Sequence, residues 1–253
     1  MKHLKNYKNK TVALIPARSR SKRIKNKNII NFYGHPLLAY SISEAIKSNL
    51  FSRVICVTDS NKYAKIAQHY GAEVPAIRPK NISSDTSPDI EWVKWILKKI
   101  NKNKKYKIFS ILRPTNPFRT NLTIKRAFDV FLNKNNFDSL RAVEICKQHP
   151  GKMWSYNGEY IVPLLPLQNI KNPFHSSQMA SLPKVYIQNA SLEIAWTKTV
   201  YENNTIAGNK IKPFFTKDYE GFDINEYEDL LLIDKLIEKQ KIKVNKIDTD
   251  SWF

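Results

Sequence analysis

The sequence predicts an α/β fold, a mostly parallel sheet with helices on both faces, and three observations carry that prediction. Five short, apolar, β-branched runs alternate with segments of helical periodicity. The loop that leaves the first run places Arg18, Arg20, Lys22, Arg23, Lys25 and Lys27, six cations, within ten residues. Beyond about residue 145 the alternation gives way to aromatics, prolines and short alternating runs. A length of 253 residues with 42% apolar content suits a single domain, 1–253, with an antiparallel insertion at 146–204 inside it.

The first strand is Thr11 to Ile15, and Pro36 opens a helix whose apolar residues recur at helical spacing through Ile46. Val54 to Thr58 forms the second strand, ending at Asp59-Ser60. Asn61 to Tyr70 is a helix closed by Gly71, where glycine supplies a left-handed cap. Glu73 to Ile77 reads as a third strand that ends at Arg78-Pro79. After a polar stretch, Ser87-Pro88 starts a helix with Ile90, Val93, Ile96, Leu97 and Ile100 inward. Strand four, Lys107 to Leu112, runs into Arg113-Pro114-Thr115-Asn116-Pro117-Phe118-Arg119-Thr120. A helix with Ile124, Phe128, Phe131 and Leu132 on one face follows, then strand five, Ser139 to Glu144. The last element is Gly221 to Asp229, leading into an amphipathic helix with Leu230, Leu231, Ile233, Leu236 and Ile237 inward. Right-handed crossovers between parallel strands put the loops at the strands' carboxyl ends on one edge. The basic loop, Asp59, Arg78 and Arg113 therefore converge on one crevice.

Neither G-x-x-x-x-G-K-[ST] nor G-x-G-x-x-G occurs in a chain with six glycines, so cations and side-chain amides must hold any phosphate there. The net charge of +20 is spread widely and attracts anions over long range. It also permits nucleic-acid binding, but no recognised module appears and the basic runs sit in sheet-edge loops, so no nucleic-acid partner is expected. Cys56 and Cys146, 90 residues apart, form no C-x-x-C, and the five histidines show no zinc spacing. Both thiols are expected in the core. No secretory leader and no long apolar run is present, which predicts a cytoplasmic protein with no membrane partner.

The stretch I-P-A-R-S-R-S-K-R-I-K-N-K-N, residues 15–28, resembles the signature of the acylneuraminate (CMP-sialic acid) cytidylyltransferases, roughly A-R-x-G-S-K-x-x-x-x-K-N. Arg20 stands where that family commonly has glycine. The resemblance extends from about Val12 to Ile237 and implies a Rossmann-like sheet of the nucleotide-diphospho-sugar transferase type. It implies that Arg18, Ser21, Lys22, Lys27 and Asn28 hold CTP, Arg18 and Lys22 being catalytic, and Arg78 joins them by its place at a sheet-edge loop. It also implies a homodimer in which the 146–204 region completes the partner's pocket, and an acidic sugar as second substrate.

Further matches come one residue at a time. Gly221-Phe222-Asp223-Ile224-Asn225-Glu226-Tyr227-Glu228-Asp229 matches the family's D-I-D-x-x-x-D, with Asn225 in place of the second aspartate. The resemblance makes Asp223 and Asn225 the anchor for Mg²⁺, an ion that needs one or two carboxylates plus phosphate oxygens and water. Asn225 and Glu228 also read as a capping box, and the two roles are compatible. Lys152 after His149-Pro150 and Asn189 after Leu182-Pro183 match sugar-side residues, whereas Ala190, Glu193 and Arg113 depart from the family's glycine, tyrosine and glutamine. Arg113, Lys152, Asn189 and Glu193 are accordingly the candidate sugar-binding set. Arg113 offers a carboxylate two parallel bonds, or is a surface arginine beside a proline turn. Trp154, Tyr156, Tyr186 and Trp196 read as core aromatics.

Overall fold

A computed structural model describes residues 6–7, 9–103, 105–133, 136–165 and 172–253. Two compact units emerge, residues 1–142 with 189–253, and residues 143–188. In the first, the chain runs through β1 (Thr11–Pro16), a small hairpin of β2 (Asn31–Phe32) and β3 (His35–Pro36), α1 (Leu37–Lys47), β4 (Arg53–Val57) and α2 (Asn61–His69). It continues with α3 (Asp89–Ile100), β5 (Ile108–Ile111), α4 (Asn121–Leu132) and β6 (Ser139–Ile145). After β7 (Trp154–Tyr156) and β8 (Ile161–Pro163) of the second unit come β9 (Tyr186–Trp196), α5 (Thr197–Glu202), β10 (Ile211–Phe215) and α6 (Tyr227–Glu238).

The sheet order is β10-β6-β9-β5-β1-β4, with β1 parallel to both β4 and β5 and β9 antiparallel to β5. Alternation along β1 sorts its side chains to two cores. Ala13 and Ile15 pack with α1, α2, α4 and α6, whereas Val12 and Leu14 pack with Trp92, Val93, Ile96 and Leu97 of α3 and Val200 of α5. Both faces are thus covered, which lets β1 be apolar on both sides.

Four differences from the sequence reading have physical causes. The third strand, Glu73 to Ile77, shrinks to one bridge between Glu73 and Ile55, because Pro75 has no N–H to continue the ladder. Tyr186–Trp196, read as part of the insertion, forms an eleven-residue strand that pairs with β5 from Glu193 to Trp196. The cap of α6 is displaced by one residue, with Glu226 at the N-cap and Asp229 at N3. Asp229 Oδ2 reaches both N–H groups at the helix start, Asn225 at 2.6 Å and Glu226 at 2.9 Å, a geometry closed to Glu228 once Glu226 is the N-cap. Of the four aromatics, Trp196 packs against Tyr7 and Phe131, but Trp154, Tyr156 and Tyr186 are exposed.

In the second unit β7 and β8 form an antiparallel ribbon, a layer too thin to bury both of its faces. His149 accepts from Gly151 N and its other ring nitrogen lies 3.0 Å from Pro183 O, tying the unit's ends together.

Candidate active site

The basic loop begins where β1 ends. Ala17 N still bonds Val57 O, so the chain leaves the sheet between β1 and β4 with its backbone groups satisfied. Asp59, at the end of β4, accepts from Ser19 N (2.7 Å) and Ser19 Oγ (3.2 Å), which fixes the loop's first turn. Asn26 takes a left-handed conformation (φ 56°) and starts a short 3-10 turn over Lys27–Ile29, a geometry asparagine tolerates better than most residues. Arg20 is not among the residues with positive φ, so a side chain replaces the family's glycine there without strain.

Arg18, Ser21, Lys22, Lys27, Asn28, Arg78 and Arg113 line one open cavity of about 590 Å³, with Arg23, Asp85, Asp89, Trp92 and Thr115 also in its wall. Asn28 is buried and donates to Arg18 O (2.9 Å), so it shapes the loop from beneath. Lys27 donates to Ile224 O (2.8 Å); burial pulls its pKa below the ordinary lysine value, with Asp223 opposing. Arg18 and Lys22 both pair with Asp85, each at 2.7 Å, and Lys22 is otherwise the most open of the group, at 81% exposure. Arg78 is buried, donates to Ile82 O and stacks over Trp92 at 5.6 Å; burial lowers its pKa.

Arg113 sits between two carboxylates, Asp89 (2.5 Å) and Glu193 (2.8 Å), and Glu193 also pairs with Arg141 (2.5 Å). Burial disfavours the Arg113 charge, but Glu193 and Asp89 outweigh it and hold the pKa above the ordinary arginine value. Burial likewise pushes against the Asp89 carboxylate, and Arg113 and the Trp92 indole N–H reverse the sign, so its pKa is lowered. Two acids and two arginines cancel in formal charge. Glu193 and Arg113, both expected at the sugar, are therefore joined to each other in this structure.

At the other side of the loop, Arg23 donates to Asn225 Oδ1 (2.9 Å) and Glu226 Oε1 (3.1 Å). Asn225 Nδ2 then donates to Asp223 Oδ2 (2.8 Å), while Asp223 Oδ1 is buried with no hydrogen-bond partner among the described residues. An oriented carboxylate with one orphaned oxygen is the donor expected of an oxygen-ligated cation site. Ile224 N bonds Thr115 O, which ties this segment to the cavity wall. Asn189 lies in β9 and donates to Thr216 Oγ1 (2.9 Å). Lys152 belongs to the second unit, where it donates to His175 O (3.3 Å).

Sequence reasoning passed over Asp85, Asp89, Arg119 and Arg141, and counted Arg23 in the basic loop without giving it a partner. Asp85 and Asp89 could have been found, since the first is the acid of the polar segment that follows Arg78 at the sheet edge and the second opens α3 just after it. Arg119, fully buried, donates to Ser191 O, Ser41 Oγ (2.6 Å) and Arg113 O (3.3 Å), pinning the turn that carries Arg113. Burial lowers its pKa to about 9, with the Glu44 charge opposing.

Sheet order and crevice define an α/β protein with a polar, strongly cationic cleft at the edge of its central sheet. A solved CMP:2-keto-3-deoxy-manno-octonic acid synthetase complexed with CTP superposes with a TM-score of 0.65 at 12% identity, over 91% of this chain and 99% of that one. Residues 12–158 match the cytidylyltransferase family model. The chain is 31% identical over 231 residues to the CMP-N,N'-diacetyllegionaminic acid synthase of Legionella pneumophila, covering 90% of this chain and 96% of that protein. It is 37% identical over 134 residues to the N-acylneuraminate cytidylyltransferase of Escherichia coli O18:K1:H7, covering 53% of this chain and 31% of that longer protein. The chain belongs to the cytidylyltransferase family. Among the described residues, no helix is long and apolar enough to cross a membrane.

Proposed function

We propose that the protein joins CMP from CTP to the anomeric hydroxyl of a nonulosonic, sialic-acid-like 2-keto-3-deoxy sugar acid, releasing pyrophosphate. The observation that carries this reading is the gathering of Arg18, Ser21, Lys22, Lys27 and Asn28, the residues of one family signature, on a single cavity at the end of β1. The hydroxyl oxygen attacks the α-phosphorus, the bond to the β-phosphate bridging oxygen breaks, and the hydroxyl proton leaves to solvent. Arg18 and Lys22 neutralise charge that builds on the phosphates. Lys27 and Asn28 set the loop's floor.

Mg²⁺ fits the residues present. The orphaned Asp223 Oδ1 supplies one hard oxygen, and Asn225, through Nδ2, holds that carboxylate in place. When bound there, the ion would neutralise phosphate charge and ease the departure of pyrophosphate. The donors of Arg113 left over from Asp89 and Glu193 are offered to the acceptor as neutralised hydrogen-bonding groups, with Asn189 as a further polar contact; Lys152, in residues 143–188, is a sugar-side residue by the family resemblance alone. The apolar side chains exposed on that unit, Tyr156, Tyr160, Ile161 and Leu164, support a homodimer built on it. The protein is proposed to work in the cytoplasm, where CTP is made.

The test is pyrophosphate release measured over CTP, UTP and GTP with sialic, legionaminic, pseudaminic and 3-deoxy-octulosonic acids as acceptors. Turnover with CTP and a nine-carbon acid is expected. Turnover confined to another nucleotide, or to the eight-carbon acid, contradicts the reading.

A further inference from the structure

The cavity already contains an anion of its own. Asp85 lies in the segment between Arg78 and α3, and its carboxylate bridges the two cations assigned above to the triphosphate: Oδ1 to Arg18 Nη1 and Oδ2 to Lys22 Nζ, each at 2.7 Å. The turn beneath it is held by hydroxyls. Ser84 N lies 3.2 Å from Ser87 Oγ, the two hydroxyls are 2.8 Å apart, and Ser84 O accepts from Arg18 Nη1 at 3.1 Å. The hydrogen bond from Lys22 and the Arg18 charge hold the Asp85 carboxyl below the usual carboxylate range, so it is ionised at neutral pH.

Two oxygens on two cations, with one of the cations 81% exposed, is the arrangement a phosphate group would make. An incoming polyanion must either displace Asp85 or lie beside it. Displacing Asp85 costs two exposed ion pairs; lying beside it costs a repulsion that grows with the anion's charge, because exposed like charges repel in proportion to their product. A divalent ion cancels two negative charges of a triphosphate before it arrives, and so removes much of that cost. Arg18 and Lys22 without Asp85 would accept any polyphosphate; with Asp85 they favour one that brings its own counter-cation.

We infer that Asp85 is a specificity-determining residue that makes the site select metal-complexed nucleoside triphosphate over the free polyanion. This rests on the cytidylyltransferase reading and deepens it. It explains why a loop with six cations need not be filled by metal-free nucleotide or by inorganic polyphosphate. It also assigns a purpose to an acid placed where a phosphate site would otherwise have none.

The experiment is calorimetric titration of the full chain at fixed ionic strength with CTP in EDTA, CTP in saturating Mg²⁺, and inorganic tripolyphosphate in EDTA. Wild type is compared with Asp85→Asn and Asp85→Ser, and circular dichroism checks that each is folded. The expected result is that wild type prefers the metal complex, and that Asp85→Asn binds metal-free CTP and tripolyphosphate roughly tenfold tighter, the scale of an exposed like-charge repulsion removed. Its affinity for Mg²⁺-bound CTP should change by less than about threefold on the same scale.

Four results overturn the inference. Wild type could bind both forms of CTP equally, the variants could keep the wild-type ratio, or they could lose affinity for the metal complex, which would make Asp85 a metal ligand. Wild type binding CTP in neither form defeats the cytidylyltransferase reading and the role of Asp85 with it. That outcome is distinct from the others, which leave wild-type CTP binding intact.

Discussion

Glu193→Gln removes the one carboxylate shared by Arg113 and Arg141, and the structure sets the scale of the loss. The Glu193 side chain is 4% exposed and Arg141 8%, so the pair is shielded from water, and Glu193 Oε2 to Arg141 Nη1 is 2.5 Å. Arg113 keeps Asp89 after the change, but Arg141 keeps only the carbonyl of Ile206, at 3.0 Å, as a hydrogen-bond partner among the described residues. Removing one partner of a buried ion pair costs about 3–5 kcal/mol, and the lower end applies because Arg113 remains paired and is partly open to solvent. For a chain of this size about 3 kcal/mol lowers Tm by roughly 6–12 °C. Thermal unfolding followed by circular dichroism reads this directly. Replacing both partners, Glu193→Met with Arg141→Met, should recover much of the loss, since a buried pair is often replaceable by apolar groups. The reasoning is refuted if Glu193→Gln leaves Tm unchanged while raising KM for the sugar acid, which would make Glu193 an acceptor contact and not a structural anion.

Three other outcomes are expected. Lys22→Ala should lower turnover about a hundredfold or more while Tm stays put, because its ammonium is largely exposed; near-normal turnover would remove Lys22 from the site. Asn225→Asp places a second carboxylate where Nδ2 now lies 2.8 Å from Asp223 Oδ2, so Tm in EDTA should fall and added Mg²⁺ should restore it. The further change Asp223→Asn should abolish that Mg²⁺ response, and a response that survives it would place the ion elsewhere. Glu220 tests the acid limb. Burial pushes its pKa up, but Arg126, the N–H of Lys217 and the hydroxyl of Thr123 outweigh it and hold the pKa below the usual 4.5. Its contribution is therefore present above 4.5 and lost as pH falls through the folded value. The urea midpoint of Glu220→Gln should lie below wild type at pH 7 and converge with it toward pH 3, and a gap independent of pH would contradict the assignment.

The elements that sequence reading located are those whose signal is local. The run from Thr11 and the apolar spacing of α1, α2 and α3 depend on neighbours a few residues away, and the structure forms each within a residue or two of its expected bounds. The basic loop was legible for the same reason, being continuous and following a strand. What was not legible depends on partners far along the chain. Arg113 meets Glu193 across 80 residues, and Arg23 meets Asn225 across 202, so no spacing rule links either pair. The cap of α6 was misplaced by one residue because Asn225 and Glu226 both precede the helix, and Asn225 is drawn away by Arg23 and Asp223. Tyr186 to Trp196 looked like an insertion because its composition resembles the aromatic region before it. Its pairing with β5 is a tertiary fact.

The most direct test of the account is a crystal structure of the protein with CTP and Mg²⁺. The triphosphate should lie against Arg18, Ser21 and Lys22, with the ion on Asp223 Oδ1. Nucleotide bound away from the loop at the end of β1, or an ion that leaves Asp223 Oδ1 without a ligand, would contradict it.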